Sequence, residues 1–174
     1  MMRFETQRLE IRPITPEDRE AVLDLLMDET VGKTYMLPEY GDRQNAVPLF
    51  ERLVLLSADE SRYVAGVYLK GQFIGMMNET EIKGSSIEMG YAYLPAFYNR
   101  GYATEAFAGA IAYLFRCGFQ TVVAGAFADN AASLRVMEKC GMIPTGQTEE
   151  MEYRGRTHRC VGYEISREAH KREQ

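Results

Sequence analysis

The nine residues Tyr98-Asn99-Arg100-Gly101-Tyr102-Ala103-Thr104-Glu105-Ala106 limit what this chain can fold into more than any other stretch. Pro95 and Phe97 interrupt the segment before them. Beyond them Ala103, Phe107, Ala110, Ile111, Leu114 and Phe115 recur at helical spacing as far as Gly118, a good C-terminal glycine. The junction predicts a loop that enters a helix through a glycine. Gly101 has no Cβ, so a large polyanion can approach its backbone closely. The first helical turn presents N–H groups without intrahelical partners, at the positive end of the helix dipole. Together these make an anion cradle. Two phosphate motifs are excluded. G-x-G-x-x-G is absent at this junction, and the Gly32-Lys33-Thr34 triplet has Met27 where a P-loop needs its first glycine.

At 174 residues the chain has room for one domain with a sizeable core, and residues 1–174 read as a single domain. No apolar run approaches the roughly 18 residues of a membrane span, and Met1-Met2-Arg3-Phe4-Glu5 does not read as a secretory signal. Cys117, Cys140 and Cys160 are odd in number and lack C-x-x-C spacing, so they read as reduced thiols of a cytoplasmic protein. His158 and His170 are too few for a zinc cluster, and no metal is expected. A net charge of −5 argues against nucleic acid as a partner and suits a cationic acceptor better.

Along the chain, Leu9 and Ile11 alternate with Arg8, Glu10 and Arg12, the pattern of a half-buried strand. Thr15-Pro16-Glu17-Asp18 starts a helix striped by Ala21, Val22, Leu25 and Leu26. A second helix is predicted over Arg43–Ser57. Strands over Arg62–Leu69, Gln72–Ile82 and Ile87–Leu94 form a meander with tight turns at Gly71 and Gly84. Thr121–Phe127 is apolar apart from Thr121, which predicts a strand buried on both faces and parallel to its predecessor. A short helix opens at Asn130 and stops at Gly141. A last hairpin joins Ile143–Tyr153 to Thr157–Ile165, and Arg167–Gln174 reads as a solvated tail.

A second motif follows the first at a fixed distance: Asn130-x-x-Ser133-x-x-x-x-Glu138-Lys139-x-Gly141-Met142. The pair resembles two signatures of the GNAT acyl-CoA N-acyltransferases, RimJ/RimL-like branch. These are the R/Q-x-x-G-x-G/A pyrophosphate loop in its R-G-Y-A-T-E-A spelling and the N-x-x-S/A-x-x-x-x-E-K-x-G-F element. The element order β-α-α-β-β-β-α-β-α-β-β matches that family from Thr6 to Ile165. The resemblance implies an α+β fold, with a mixed, mostly antiparallel sheet of about seven strands and about four helices. It implies acetyl-CoA as cosubstrate, its pyrophosphate held by the backbone of Arg100, Gly101, Tyr102, Ala103 and Thr104. It further implies that the strand carrying Gly90, Tyr91 and Ala92 splays from its neighbour and binds the pantetheine amides like an added strand. Gly90 reads equally as a sheet glycine that makes room for a ring. Asn130 is implied to reach the pantetheine arm, yet it also stands where an N-cap belongs, with Ser133 at N3.

Transfer of an acyl group requires a neutral amine. About one in seven α-amines is neutral at pH 7, against roughly one in 2,500 lysine side chains. Candidate bases are Glu88 first, then Glu79 and Glu81, each of which also reads as an exposed strand carboxylate. Where many members of the superfamily carry a tyrosine as general acid, this chain has Met137, which donates no proton. Ser133, solvent, or the phenols Tyr91, Tyr93 and Tyr153 are the alternatives. No cysteine sits in a nucleophile motif, so the amine is expected to attack directly in a ternary complex. The acceptor classes are a peptide N-terminus, a polyamine, an amino acid or an aminoglycoside-like small molecule. The rival readings are transfer of a longer acyl chain and a catalytically inactive acyl-CoA-binding sensor. Monomer and homodimer both stay open. The acceptor region is expected at Val31–Asn45 and Thr145–Arg159, where Glu149, Glu150 and Glu152 lie.

Overall fold

The alternation of Leu9-Glu10-Ile11-Arg12 becomes a strand, with Leu9 and Ile11 buried and Glu10 and Arg12 half-exposed. The computed structural model describes residues 1–172; Glu173 and Gln174, the end of the expected solvated tail, lie outside the described residues. Two compact units form, one from Met1–Glu79 with Tyr91–Ala106, the other from Thr80–Gly90 with the chain from Phe107 onward. With eight strands among the described residues, mostly antiparallel, and helices, the fold class is α+β.

The first unit contains β1 (Phe4–Glu5), β2 (Leu9–Arg12), α1 (Arg19–Met27), α2 (Glu29–Gly32), α3 (Arg43–Ala58) and β3 (Ala65–Leu69). It also holds most of β4 (Gln72–Lys83), the end of β5 (Ser86–Tyr93) and the start of α4 (Tyr102–Arg116). Antiparallel registers run Phe4↔Ile11, Ile11↔Val67 and Ala65↔Met77. Leu23, Leu25 and Leu26 of α1 share one core with Phe50, Leu53, Tyr68 and Phe73. Asp18 is the hub of the α1 entry. Its Oδ2 accepts the Thr15 N–H at 2.8 Å and the Tyr68 hydroxyl at 2.7 Å. Asp28 and Asp42 cap α2 and α3 through their carboxylates.

The second unit holds the rest of β4, β5 and α4, then β6 (Thr121–Phe127), α5 (Ala131–Lys139), β7 (Ile143–Tyr153), β8 (Arg156–Ser166) and α6 (Arg167–Arg172). β6 runs parallel to β5 and antiparallel to β8, and β7 pairs with β8 at the edge. The parallel expectation for β6 holds; its burial on both faces does not. Val122 and Ala124 are buried, whereas Thr121 and Val123 are half-exposed and Gly125 is exposed. The open face carries valine and glycine rather than charge, so the sequence showed no alternation there. Strand count also differs. A bend at residues 7–8 splits the first strand in two, since Thr6 N–H turns back to the Leu9 carbonyl at 2.9 Å. The tail as far as Arg172 forms α6, none of whose residues is buried, with the His170 ring 5.3 Å from the Phe115 ring.

Ser57 is fully buried at the end of α3, where its Oγ accepts the Ile14 N–H at 3.0 Å. Ser57→Ala leaves that backbone donor without a partner. It should cost about 1–3 kcal/mol in denaturant unfolding, with an unchanged slope.

Candidate active site

The expected cradle lies within the first unit. After Tyr93 the chain makes a single 3-10 turn at Pro95–Phe97, then passes two left-handed residues, Asn99 (φ 58°) and Gly101 (φ 80°). α4 starts at the next residue, and its first closing bond runs from Glu105 N–H to the Gly101 carbonyl at 3.0 Å. Gly101 is required here by its backbone angle, which disfavours any side chain. A Cβ at this position would also stand 3.4 Å from Arg8 Nη2. Arg100 and Gly101 are exposed, while Tyr102, Ala103 and Thr104 are half-buried. In the R/Q-x-x-G-x-G/A pattern the basic or amide residue stands three before the glycine. In this chain that place holds Tyr98, and Arg100 is the residue next to the glycine.

What fixes this loop was missed in the sequence reading. Glu105, in the first turn of α4, gathers three donors on one carboxylate. Oε1 accepts the Thr6 hydroxyl at 2.6 Å and the Arg8 N–H at 2.7 Å, and Oε2 accepts Arg8 Nε at 2.6 Å. The same guanidinium donates from Nη1 to the Arg100 carbonyl at 3.2 Å and lies 4.6 Å over the Tyr102 ring. Burial pushes the Glu105 carboxyl up, but the bonds from Thr6 and Arg8 and the Arg8 charge outweigh it and hold it below its ordinary value. The available signal was Glu105 itself, a first-turn carboxylate that calls for partners.

Of the expected pantetheine strand, Gly90 belongs to the second unit and Tyr91 and Ala92 to the first. The β5–β6 ladder ends at Glu88↔Val123, although β5 runs on to Tyr93 and β6 to Phe127. Beyond Glu88, β5 therefore has no β6 partner among the described pairings. Gly75 lies beside the Tyr93 ring and Gly66 beside the Tyr68 ring, where an added Cβ would clash.

In the second unit Glu88 is half-buried, and its Oε1 lies 3.5 Å from the point where a Gly125 Cβ would stand. Gly125 faces Gly162 across the β6–β8 ladder; the Thr145 side chain lies over Gly162, where a Cβ would stand 3.0 Å from its Oγ1, so Gly125 is the glycine beside Glu88. At its end the His158 ring stacks on Phe127 at 4.2 Å, with Tyr153 5.9 Å from Phe127. Asn130 is the N-cap of α5, its Oδ1 accepting the Ser133 N–H at 3.2 Å. The capping role is thus present. Among the described residues its Nδ2 has no acceptor. Ser133 is half-buried on the first turn of the same helix.

The Acetyltransferase (GNAT) domain family model matches residues 8–143, more than half of the chain. This chain belongs to the GNAT acetyltransferases. It is 26% identical over 159 residues to the uncharacterized N-acetyltransferase YoaA of Bacillus subtilis (strain 168), covering 88% of this chain and 90% of that one. Among solved structures its fold resembles that of RimL, a ribosomal alpha-N-protein acetyltransferase in complex with coenzyme A. The TM-score is 0.85 at 17% identity, over 97% of this chain and 99% of that one. It also resembles spermidine N-acetyltransferase from Vibrio cholerae, in complex with CoA and spermine. Here the TM-score is 0.80 at 18% identity, over 94% of this chain and 98% of that one.

Within this GNAT chain the three candidate carboxylates separate. Glu79 is buried and committed: it pairs with Arg62 Nε and accepts the Tyr63 N–H at 2.8 Å. That geometry gives it a structural task and weighs against the catalytic one. Glu81 is exposed and 2.7 Å from Lys83 Nζ. Glu88 alone of the three has no hydrogen-bond donor on its carboxylate among the described residues. Met137 is fully buried core. Tyr163 donates its hydroxyl to Glu138 at 3.2 Å, and burial and then Glu138 raise that phenol. The Cys140 thiol is pushed up to about 12 by burial, and Cys160 is raised by burial and by Glu149, so neither is an activated nucleophile. Among the described residues no group of three or more His, Cys, Asp or Glu is placed to hold a metal. Among the described residues no helix is long and apolar enough to cross a membrane.

The depressed Glu105 carboxyl fixes a pH dependence. Its folded value lies below the unfolded 4.5, so its contribution is complete above about pH 5 and fades as pH falls through the folded value. Glu105→Gln should lower stability at pH 7, and the gap to wild type should close towards pH 3, measured by denaturant unfolding at both.

Proposed function

We propose that the protein transfers acetyl from acetyl-CoA to a primary amine by direct attack in a ternary complex. The carrying observation is the glycine-hinged loop at the start of α4, held in shape by the Thr6–Arg8–Glu105 clasp. Acetyl-CoA supplies the acyl group activated as a thioester. The backbone N–H groups of Arg100, Gly101, Ala103 and Thr104, with Tyr102, hold its diphosphate, a task suited to a helix N-terminus opened by a residue without Cβ. Gly90, Tyr91 and Ala92 offer the side of β5 that lacks a β6 partner, and Asn130 offers its Nδ2.

Glu88 is the base in this reading, acting directly or through a water. It is the candidate carboxylate that takes no hydrogen-bond donor among the described residues, and it stands beside Gly125, which puts no side chain next to it. An α-amine needs little help beyond orientation, which is worth roughly 7–11 kcal/mol in favourable cases. A polyamine or lysine-like nitrogen needs its proton removed. With Met137 in the core, Ser133 or solvent returns a proton to the thiolate, which is a good leaving group. Glu79 drops out of the catalytic set.

The acceptor is a peptide N-terminus or a small amine. RimL is named for the former and the Vibrio cholerae protein for the latter, and the net charge of −5 suits either. Both units serve one acetyltransferase domain, supported by a family match that runs from one into the other. The RimJ/RimL-like affinity, a cytoplasmic setting suggested by free thiols, and work as a monomer or homodimer belong to the same proposal.

Thiol release from acetyl-CoA, followed over a panel of amines, tests it. At least one amine should support turnover. Tight coenzyme binding without turnover on any amine would instead make the chain a sensor. Glu88→Gln should lower kcat/KM about 10²-fold or more on a polyamine and much less on an α-amine, leaving KM for acetyl-CoA unchanged. An equal, small effect on both acceptors would remove Glu88 as the base.

A further inference from the structure

Arg8 makes four contacts near the cradle, and their arrangement is not that of a simple ion pair. A side-on pair with a carboxylate uses Nε and Nη2 of the guanidinium together. In this structure Glu105 meets only Nε in that way, because its other oxygen is taken by the Thr6 hydroxyl and the Arg8 backbone N–H. The guanidinium is therefore anchored at one end, by an atom that cannot rotate independently of the plane. Its far edge delivers Nη1 to the carbonyl of Arg100, between the two left-handed residues Asn99 and Gly101. The Tyr102 ring, 4.6 Å away, supports the plane from one face.

That carbonyl belongs to the peptide joining Arg100 to Gly101. In a planar trans peptide the C=O and the N–H point in opposite directions. Holding the Arg100 oxygen towards Arg8 thus aims the Gly101 N–H away from it. The neighbouring φ angles of 58° and 80° lie in a region where a free loop has other choices, so the peptide needs a fixed reference. Arg8 is that reference. Its charge is met by Glu105, so it is a braced strut and not a free cation.

We infer that Arg8 is a positioning residue for the coenzyme: it sets the direction of the Gly101 N–H that meets the diphosphate. The inference rests on the acetyl-CoA reading above. It separates Arg8 from a merely structural residue, because its effect should appear only with ligands that carry the diphosphate. Lysine is the informative replacement. One ammonium can pair with Glu105, but it lacks the fork that reaches a second acceptor at a fixed angle.

The experiment compares wild type, Arg8→Lys and Arg8→Gln. Each is assayed for CoA and pantetheine binding by calorimetry, for turnover of acetyl-CoA and acetyl-pantetheine, and for thermal unfolding. Arg8→Lys should unfold near the wild-type temperature. Its CoA affinity should fall about tenfold or more, the loss expected for one charge-assisted hydrogen bond. KM for acetyl-CoA should rise by the same factor with kcat unchanged, while kcat/KM for acetyl-pantetheine and the affinity for pantetheine stay at wild-type values. Arg8→Gln should show the same split with lower stability. Parallel losses on both acyl donors, no loss on either, or unfolding of both variants would overturn the inference. Absence of CoA heat or of turnover in wild type would instead defeat the acetyl-CoA reading itself.

Discussion

The carboxylate of Glu105 joins parts of the chain 97 and 99 residues apart, and the geometry of the cradle depends on it. A negative group in the first turn of a helix is favourable on its own account, since it faces the positive end of the dipole. Placed beside an anion site it would also repel the anion. Arg8 removes that conflict: it neutralises Glu105 and, through the Arg100 carbonyl, holds the loop that presents the backbone donors. One ion pair therefore stabilises the helix start, cancels an unfavourable charge and fixes a strained loop.

The second unit handles its own constraint differently. Its sheet is covered on one side, where Val122, Ala124, Tyr163 and Ile165 are buried, and open on the other. An open apolar sheet face is a liability in water. Here that face carries Gly125 with the carboxylate of Glu88 beside it, Gly162 under the Thr145 side chain, and an aromatic group of Phe127, His158 and Tyr153 at the end. The glycines weaken the strand, since they pack no side chain. Gly125 also leaves the backbone bare beside the Glu88 carboxylate, which takes no hydrogen-bond donor among the described residues, while Thr145 lies over Gly162.

Local rules carried much of the fold. The stripe of α4, the turns at Gly71 and Gly84, the N-cap at Asn130 and the parallel placement of β6 followed from short-range pattern and loop chemistry. Misreadings fell where polarity gave no signal. Thr121–Phe127 looked buried on both sides because valine and glycine on its open face are as apolar as a core. The first strand was broken by a bend whose cause is a hydrogen bond, from Thr6 to Leu9, that composition does not display.

By itself the sequence determined the family and most of the element order, because each depends on residues adjacent in the chain: a glycine, a helix start, a cap. Only the tertiary structure decided which groups act on them. Glu79 and Glu88 are the same residue type on neighbouring strands. Arg62 and the Tyr63 N–H occupy one carboxylate, while the other is left to face glycine. Arg8 lies in the opening strand region and looks like an ordinary surface cation until folding sets it against Glu105. Partners that meet across nearly a hundred residues leave no periodic trace in a sequence, since the contact is made by strand and helix geometry rather than by spacing.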